Sequence, residues 1–249
     1  MEGGIMAILE VKNITKHYGD LEILNDFSLK VEKGDVLAIL GPSGCGKSTL
    51  LRCINGLERI SAGDILLKGE SVVKSEKEMP DVRKKIGMVF QSYELFGHMN
   101  VLDNLTLGPI KAKGEDKKQA EERARALLER VGLGDKAASY PANLSGGQQQ
   151  RVAILRAMLM DPDIYLFDEV TAALDPEMVQ EVLALVGELA EEGKTMLIVT
   201  HEMEFARQVA DRILFLEDGA IVEDSDPETF FEHPKTERAR QFLEGFHYH

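Results

Sequence analysis

The chain has 249 residues, of which 44% are hydrophobic and 29% charged, and its formal net charge is −14. This length suffices for one large α/β domain with a substantial core, and the composition excludes a disordered, fibrous or disulfide-rich protein. Because nucleic-acid affinity rests largely on Lys and Arg replacing condensed counterions, the acidic balance argues against a nucleic-acid partner.

Short, β-rich apolar runs bounded by Gly, Pro and Asp predict the strands. Residues 8–11 and 27–31 have an alternating character, which predicts an N-terminal antiparallel β region. Residues 36–40, 164–167 and 196–199 are continuously apolar, which is typical of strands that are buried on both faces. These three runs predict a mainly parallel sheet.

Between residues 91 and 160 the pattern changes from strand to helix. Residues 115–131 place Ala and Leu at helical spacing among charged residues, and residues 147–159 form a second stretch of this kind. We therefore predict a helical subdomain inserted into the sheet.

The first motif that carries chemistry is GPSGCGKST at residues 41–49, which matches G-x-x-x-x-G-K-[ST] and follows the apolar run VLAIL. Glycines let the backbone N–H groups face phosphate oxygens, and the N-terminus of the following helix adds a favourable dipole. Lys47 is expected to reach the outer phosphates, and Ser48 to ligate Mg²⁺. A Gly-rich turn with an incidental Lys is the alternative, and the flanking strand and helix argue against it. The predicted contacts to MgATP are Gly41, Pro42, Ser43, Gly44, Cys45, Gly46, Lys47, Ser48 and Thr49.

Two carboxylates, Asp168 and Glu169, end the apolar run at residues 164–167, where open α/β sheets place their ligands. Successive strand residues point to opposite sides, so the two cannot easily share one task. We assign Asp168 to Mg²⁺ and Glu169 to the water that attacks ATP. His201 follows another buried run and is expected to contact the γ-phosphate or that water, although a structural or helix-capping His stays an open alternative.

The stretch LSGGQQQR at residues 144–151 places one Ser and two Gly at the start of a helix. The free N–H groups of such a helix would suit a phosphate, but taken alone an ordinary N-cap before a polar helix is favoured. The presence of the other motifs in the chain reverses this preference and favours a phosphate contact. A P-loop, LSGGQ, a strand ending in DE and a later His, in this order, resemble the nucleotide-binding domain of ABC transporters over nearly the whole chain.

That resemblance implies an ATP hydrolase that works as a homodimer, in which two copies sandwich two ATP molecules. Each ATP is then held by the P-loop of one copy and by Ser145, Gly146, Gly147 and Gln148 of the other. The resemblance further implies that Tyr18 stacks on adenine, that Gln91 senses Mg²⁺ and water, and that Asp175 links the two nucleotide sites. The candidate catalytic residues are thus Lys47, Gln91, Glu169, Asp175 and His201. Of these, Gln91 and His201 are also predicted nucleotide contacts. The candidate metal ligands are Ser48, Gln91 and Asp168.

The resemblance also implies the fold, which is that of an α/β P-loop NTPase with a mainly parallel sheet core, an N-terminal antiparallel β region and an inserted helical subdomain. We expect a single domain over residues 6–249. Residues 6–90 and 161–249 would form the RecA-like core with the antiparallel region, and residues 91–160 the helical subdomain with the LSGGQ motif.

Two further stretches, VFQSYELFGHMNVLDNLTLGPIK and HPKTERARQFL, are similar to ATP-binding subunits of bacterial polar amino acid importers for glutamine, glutamate, arginine or histidine. This similarity implies docking on transmembrane permease subunits and, indirectly, work with a solute-binding protein. Phe96, Met99 and their apolar neighbours would line the groove for the membrane subunit, or they would form the core of the helical subdomain.

The expected location is cytoplasmic and peripheral, at the inner face of the cell membrane. The longest apolar runs, such as residues 36–40, are far below membrane-spanning length, and the N-terminal stretch lacks a basic region before a sustained apolar one. Cys45 and Cys53 would lie roughly 10 Å or more apart on a helix, beyond disulfide reach, so we expect free thiols.

Two other functions share these motifs. An ABC ATPase of an exporter or cell-division complex would differ only in its membrane partner. A soluble regulatory ABC protein that acts on DNA or ribosomes is disfavoured by the acidic charge and by the lack of a long coiled-coil insertion between the P-loop and LSGGQ.

Overall fold

The computed structural model describes residues 7–245, and within them ten strands form two sheets. Both ends of the predicted domain, at residues 6 and 249, lie outside these described residues. The strands are β1 (Leu9–Tyr18), β2 (Leu21–Val31), β3 (Val36–Leu40), β4 (Ala62–Leu67), β5 (Glu70–Ser71), β6 (Ile86–Val89), β7 (Ile164–Asp168), β8 (Met196–Val199), β9 (Arg212–Glu217) and β10 (Ala220–Ser225). The helices are α1 (Lys47–Ile54), α2 (Met79–Lys85), α3 (Val101–Lys113), α4 (Lys117–Arg130), α5 (Gly146–Met160), α6 (Pro176–Glu191), α7 (Met203–Val209), α8 (Pro227–Glu232) and α9 (Glu237–Glu244).

The smaller sheet is antiparallel and has the order β2-β1-β4-β5. It confirms the predicted N-terminal antiparallel region, but its first two strands extend well beyond residues 8–11 and 27–31. Pairing explains the extension, because Lys16 lies opposite Leu24 and Tyr18 opposite Leu21 in a hairpin. The polar end of β1 is thus held by its ladder rather than by apolar burial.

The larger sheet has the order β10-β9-β3-β8-β7-β6, and every pair except β9 with β10 is parallel. Strands β3, β7 and β8 are buried at every residue, which confirms the prediction made from their continuous apolar runs. The carboxyl ends of parallel strands lie at one edge of a sheet. The segments that follow β3, β6, β7 and β8 therefore emerge together.

Three apolar clusters cover the larger sheet. One joins it to the antiparallel sheet and α1, the second joins it to α3, α4, α5 and α6, and the third lies beneath α8 and α9. In β7, Ile164 and Leu166 belong to the first cluster, whereas Tyr165 and Phe167 belong to the second. This alternation fixes the register of the strand and so the position of the carboxylate that follows it.

The helices between residues 91 and 160 begin at side-chain caps. Asn100 accepts the backbone N–H of Asp103 at the start of α3, and Asp116 accepts those of Lys118 and Gln119 at the start of α4. Helices α4 and α5 confirm the helical stretches predicted at residues 115–131 and 147–159. The domain boundaries at residues 90 and 161 stay a prediction.

Two simpler expectations concern membrane spans and thiols. Over residues 7–245, no helix combines the length and the apolar character that a bilayer crossing requires. Cys45 and Cys53 are both buried free thiols, as expected. Burial raises the pKa of Cys53 to about 11, so that thiol stays protonated at neutral pH.

Candidate nucleotide site

The segment after β3 wraps around the ammonium group of Lys47. Helix α1 starts there, and its N-cap Gly46, at φ 103°, supplies no side-chain acceptor to the first turn. Lys47 Nζ donates to the carbonyl oxygens of Gly41 at 2.8 Å and Pro42 at 2.9 Å. The residue is only 4% exposed. Among the described residues it has no ion-pair partner. A buried cation that meets only neutral carbonyls, next to free helix N–H groups, fits a phosphate ligand.

Gly41 cannot be replaced by a larger residue without moving the backbone of a neighbouring strand. Its φ is +148°, and a Cβ there would lie 2.1 Å from the carbonyl oxygen of Leu216 and 3.0 Å from Cys45 Sγ. Gly44, at φ +81°, has open space around it. The loop thus presses against β9 on one side and is open on the other. Burial raises the pKa of the thiol of Cys45, which belongs to the same loop.

Asp168 meets Ser48 at the end of β7. Ser48 Oγ donates to Asp168 Oδ1 at 2.6 Å, and Arg52 Nη2 lies 3.8 Å from Asp168 Oδ2. Burial raises the pKa of Asp168, and the hydrogen bond from Ser48 offsets part of that rise. One hydroxyl and one carboxylate are hard oxygen ligands, which suit a Mg²⁺ ion that takes its other ligands from phosphate and water. Residues 7–245 contain no cluster of three His, Cys, Asp or Glu side chains that could hold a metal by themselves.

Glu169 and His201 form a direct pair, with His201 Nε2 3.0 Å from Glu169 Oε1. Glu169 has a left-handed backbone at φ 48°, and its N–H donates to the carbonyl oxygen of Val199 at 3.0 Å. This conformation costs a residue other than Gly about 1–3 kcal/mol and is frequent at functional sites. The two residues were predicted separately, and the fold brings them together.

Gln91 follows β6 and lines a cleft of about 920 Å³ together with Ser48 and Asp168. The next residues are held in unusual conformations, with φ 63° at Tyr93 and 51° at Glu94. Arg156 of α5 donates to the carbonyl oxygens of both, at 3.2 Å and 2.6 Å. The segment after Gln91 is therefore fastened to the helix that begins with the LSGGQ motif.

Phe96 lines the same cleft and is 42% exposed, so it is not a core residue. Arg156 lies over its ring, 5.7 Å from the centroid. Met99 is half-buried and does not line the cleft. Of the two predicted roles, a groove for the membrane subunit or the core of the helical subdomain, exposure on a groove therefore fits Phe96 but not Met99.

The LSGGQ motif starts α5 with a capping box. Ser145 Oγ accepts the N–H of Gln148 at 3.3 Å, and Gln148 Oε1 accepts the N–H of Ser145 at 3.0 Å. The N–H of Gly147 faces only the sulfur of Met178, at 3.3 Å. In the described part of the chain, no hydrogen bond or ion pair joins residues 144–148 to residues 41–49.

Two predicted residues lie apart from the phosphate end of the site. Asp175 is the exposed N-cap of α6, and its side chain makes no capping hydrogen bond. Tyr18, at the end of β1, is 44% exposed and rests on Lys16, whose Nζ lies 4.5 Å from the ring centroid. Sequence reasoning missed Lys16, Arg52 and Arg156. The available signal for Lys16 was its i, i+2 spacing to Tyr18, which places both on one face of a strand.

Comparisons with known proteins identify the family and the fold of this chain. The family model described as ABC transporter matches residues 24–172. The glutamate transport ATP-binding protein of Corynebacterium efficiens is 55% identical over 236 residues, covering 95% of this chain and 98% of the relative. The glutamine transport ATP-binding protein of Bacillus subtilis and the glutamate/aspartate import ATP-binding protein of Escherichia coli K12 are each 52% identical, with the same coverage.

Solved structures give the same picture. The dimeric post-hydrolysis state of an ATP-binding cassette bound to ADP and phosphate is 34% identical with a TM-score of 0.80, covering 88% of this chain and 98% of that one. A cassette protein of Clostridium perfringens, part of an ABC transporter complex, is 30% identical with a TM-score of 0.81, covering 97% and 98%.

Proposed function

We propose, from the premise that this chain belongs to the ABC transporter family, that it is the ATP-hydrolysing subunit of an importer for polar amino acids. The chain is an ATPase of the ABC type with the fold of an ABC cassette. The cargo is inferred from relatives named for glutamate, glutamine and arginine transport, which are 52–55% identical over 95% of this chain. That level of identity across the whole cassette is the observation that carries the proposal.

The chain binds ATP, and we assign the phosphates to residues 41–49. The buried ammonium of Lys47 would pair with the outer phosphates and so gain the charge partner that it lacks. Ser48 and Asp168 would hold Mg²⁺, with Gln91 nearby in the same cleft. When bound, the ion would neutralise charge on the phosphate oxygens.

In this proposal Glu169 takes a proton from the attacking water. Its left-handed backbone and the contact with His201 hold the carboxylate at the edge where the phosphates would lie. With Glu169 ionised, the 3.0 Å contact requires His201 Nε2 to carry the proton and donate it. His201 would thereby orient the base, and its ring would also be within reach of the γ-phosphate.

We further propose that the complete site needs two copies of the chain. Ser145 to Gln148 of one copy would present the start of α5 to the γ-phosphate held by residues 41–49 of the other, with Asp175 at the interface. ATP favours such a closed dimer only if it binds the closed state more tightly, and a γ-phosphate that touches both copies supplies that difference. ADP lacks this group, so hydrolysis would let the dimer open.

The membrane partner would dock in the cleft beside Gln91. The cleft combines the exposed ring of Phe96 with Leu107 and Met160 on α3 and α5, and it reaches Ser48 and Asp168. A permease helix seated there would contact the segment that Arg156 fastens to α5. This arrangement would link the transported solute to the nucleotide through Gln91.

The test of this proposal is uptake by the assembled transporter. We expect Phe96→Ser to abolish uptake of labelled glutamate and glutamine by cells or proteoliposomes that contain the permease and the solute-binding protein, because an apolar contact to the permease is lost. ATP hydrolysis by the detached subunit should stay within about twofold, since surface substitutions outside special contacts are nearly neutral. Pull-down of the permease by the variant should fail.

The matched control is Tyr140→Ser, which removes another exposed aromatic ring, 48% exposed, that does not line the cleft. This control should transport normally. Undiminished uptake by the Phe96 variant would remove the cleft from the docking model. Failure of the unmodified assembly to import any of glutamate, glutamine and arginine would contradict the cargo class.

A further inference from the structure

Lys16 and Tyr18 lie on one face of β1 but in opposite environments. Tyr18 is 44% exposed, whereas Lys16 is only 7% exposed. The ammonium group of Lys16 lies 4.5 Å from the centroid of the Tyr18 ring. A cation over one face of an aromatic ring is attracted by its negative face and closes that face to other ligands. Only the exposed part of the Tyr18 ring then stays accessible to a planar ligand.

The ammonium group of Lys16 has two further contacts. It donates to Glu58 Oε2 at 3.0 Å and to the carbonyl oxygen of Arg59 at 2.9 Å. The Lys16 side chain is 8% exposed and that of Glu58 is 30% exposed, so the pair is desolvated mainly on the lysine side. Such a pair holds its geometry more firmly than a fully exposed ion pair, because water competes poorly for the ammonium group.

Glu58 belongs to the segment that ends α1, the helix that begins at Lys47. Its backbone N–H donates to the carbonyl oxygen of Arg52, in the last turn of that helix, at 3.1 Å. Close by, the N–H of Ser61 donates to the carbonyl oxygen of Thr15 at 2.7 Å, and the N–H of His17 donates to Ser61 Oγ at 3.1 Å. The end of β1 is therefore bound at several points to residues 58–61, the segment that follows the phosphate-binding helix.

The Tyr18 hydroxyl group lies beside the same pair. Burial and the nearby carboxylate of Glu58 raise the pKa of Tyr18. The hydrogen bond from Lys16 lowers the pKa of Glu58 despite its partial burial. At neutral pH the carboxylate of Glu58 is thus charged and accepts the hydrogen bond from Lys16.

We propose that Lys16 and Glu58 are positioning residues that hold the Tyr18 ring at a fixed distance from the phosphate loop, with one face open, and so set the affinity for the nucleobase. This inference rests on the proposed stacking of Tyr18 on adenine. In this proposal Lys16 and Glu58 contact neither the base nor the phosphates. They affect nucleotide affinity only by orienting the Tyr18 ring.

The experiment compares ATP with inorganic tripolyphosphate, which has the phosphates but no base. In Lys16→Met and Glu58→Gln, the KM for ATP should rise about tenfold, the scale of a lost hydrogen bond to a charged group, while kcat stays within about twofold. The affinity for magnesium tripolyphosphate, measured by calorimetry, should not change. Lys16→Arg, which keeps the cation, should recover most of the ATP affinity.

The matched control is Lys12→Met on the same strand, where Lys12 is exposed and pairs with Glu10 at 3.4 Å. It should leave both ligands unaffected. An equal loss of ATP and tripolyphosphate affinity, or no loss of either, would overturn the positioning role. If Lys16→Met does not fold, Glu58→Gln carries the same comparison with a smaller change in packing.

The variant Tyr18→Ala separates this inference from the proposal beneath it. If Tyr18→Ala weakens ATP binding but the Lys16 and Glu58 variants do not, adenine stacking stands and the positioning role is wrong. If Tyr18→Ala binds ATP normally, the stacking itself is wrong and the positioning role fails with it.

Discussion

Asp168 shows most directly how a residue can serve ligand binding while it lowers the stability of the ligand-free protein. It is 4% exposed, and burial raises the pKa of its carboxyl group above the ordinary value of 3.8. A carboxyl group with a raised pKa in the folded state stabilises the fold while protonated. That contribution is lost as pH rises above 3.8 and through the folded-state value. At neutral pH the carboxylate is ionised, and a cation closer than Arg52, whose Nη2 lies 3.8 Å away, would stabilise it further.

We therefore predict that Asp168→Asn raises the melting temperature of the nucleotide-free protein at neutral pH. The gain should shrink as pH falls, because Asp168 itself becomes increasingly protonated. The asparagine side chain can still accept the hydrogen bond from Ser48, but its binding of Mg²⁺ should be weak, so the additional stabilisation by MgATP over ATP with EDTA should disappear. Thermal unfolding across a pH series measures both effects.

The control for this prediction is Asp163→Asn, just before the same strand, where Lys68 Nζ lies 2.6 Å from the carboxylate. Loss of that exposed ion pair should cost at most about 1 kcal/mol and leave the effect of MgATP intact. A lower melting temperature for nucleotide-free Asp168→Asn would show that burial does not dominate at this site.

At the scale of an element, the start of α5 combines a structural cap with the proposed contact to a phosphate. Ser145 and Gln148 satisfy each other's backbone N–H groups, whereas the N–H of Gly147 meets only the weak acceptor sulfur of Met178. The cap thus keeps the helix wound to its first turn. Of the first N–H groups, that of the half-buried Gly146 has no acceptor among the described residues and is left for a ligand. Stability and function depend on the same serine.

We predict that Ser145→Ala costs about 1 kcal/mol of folding stability and lowers ATP turnover by at least about tenfold. Asp116→Ala provides the comparison, because Asp116 caps α4 through the N–H groups of Lys118 and Gln119. It should cost about the same stability and leave turnover unchanged. Chemical denaturation and a phosphate-release assay give the two readouts. Equal turnover in both variants would mean that Ser145 acts only as a cap.

The same scale shows what the sequence could predict. Strands β3 and β8 were predicted with the bounds that the structure has, because burial on both faces leaves an uninterrupted apolar run. The end of β1 was missed, since its polar residues are held by a hairpin partner and not by a pattern in the strand. Local motifs are readable because their chemistry lies in consecutive residues.

Contacts between distant segments could not be predicted from the sequence in this way. Lys16 and Glu58 are 42 positions apart, and Arg156 is 63 positions from Tyr93. Each pair is brought together by the packing of whole elements, so no periodicity points to it. The left-handed backbone of Glu169 is a further case, because its neighbours Asp168 and Val170 give no turn signal of the Gly or Pro kind. The roles of the individual site residues stay predictions.

At the scale of the whole molecule, one chain does not complete the proposed site. In the described structure, residues 144–148 make no hydrogen bond or ion pair with residues 41–49, although both segments offer free N–H groups to an anion. The dimeric cassette with ADP and phosphate has a similar fold, with a TM-score of 0.80. A monomer should therefore bind ATP and hydrolyse it poorly.

We predict that specific ATPase activity rises with protein concentration, from nearly zero when the protein is dilute to a plateau once dimers dominate. Glu169→Gln should keep MgATP binding but lose at least about a hundredfold in turnover, since a general base typically contributes that much. Because its ATP is not consumed, this variant should accumulate as a dimer with MgATP and return to monomer with MgADP. Light scattering after gel filtration measures both states.

The control for the dimer experiment is Glu191→Gln, which removes an exposed carboxylate near the end of α6 and changes the net charge equally. It should hydrolyse ATP normally and should not accumulate as a dimer. Mixing Glu169→Gln protein with Ser145→Ala protein gives the stricter test. In each mixed dimer one site combines the intact Glu169 of one copy with the intact Ser145 of the other and should recover activity, whereas the second site lacks both. Activity that is independent of concentration would place the whole reaction within one chain and contradict the two-copy site.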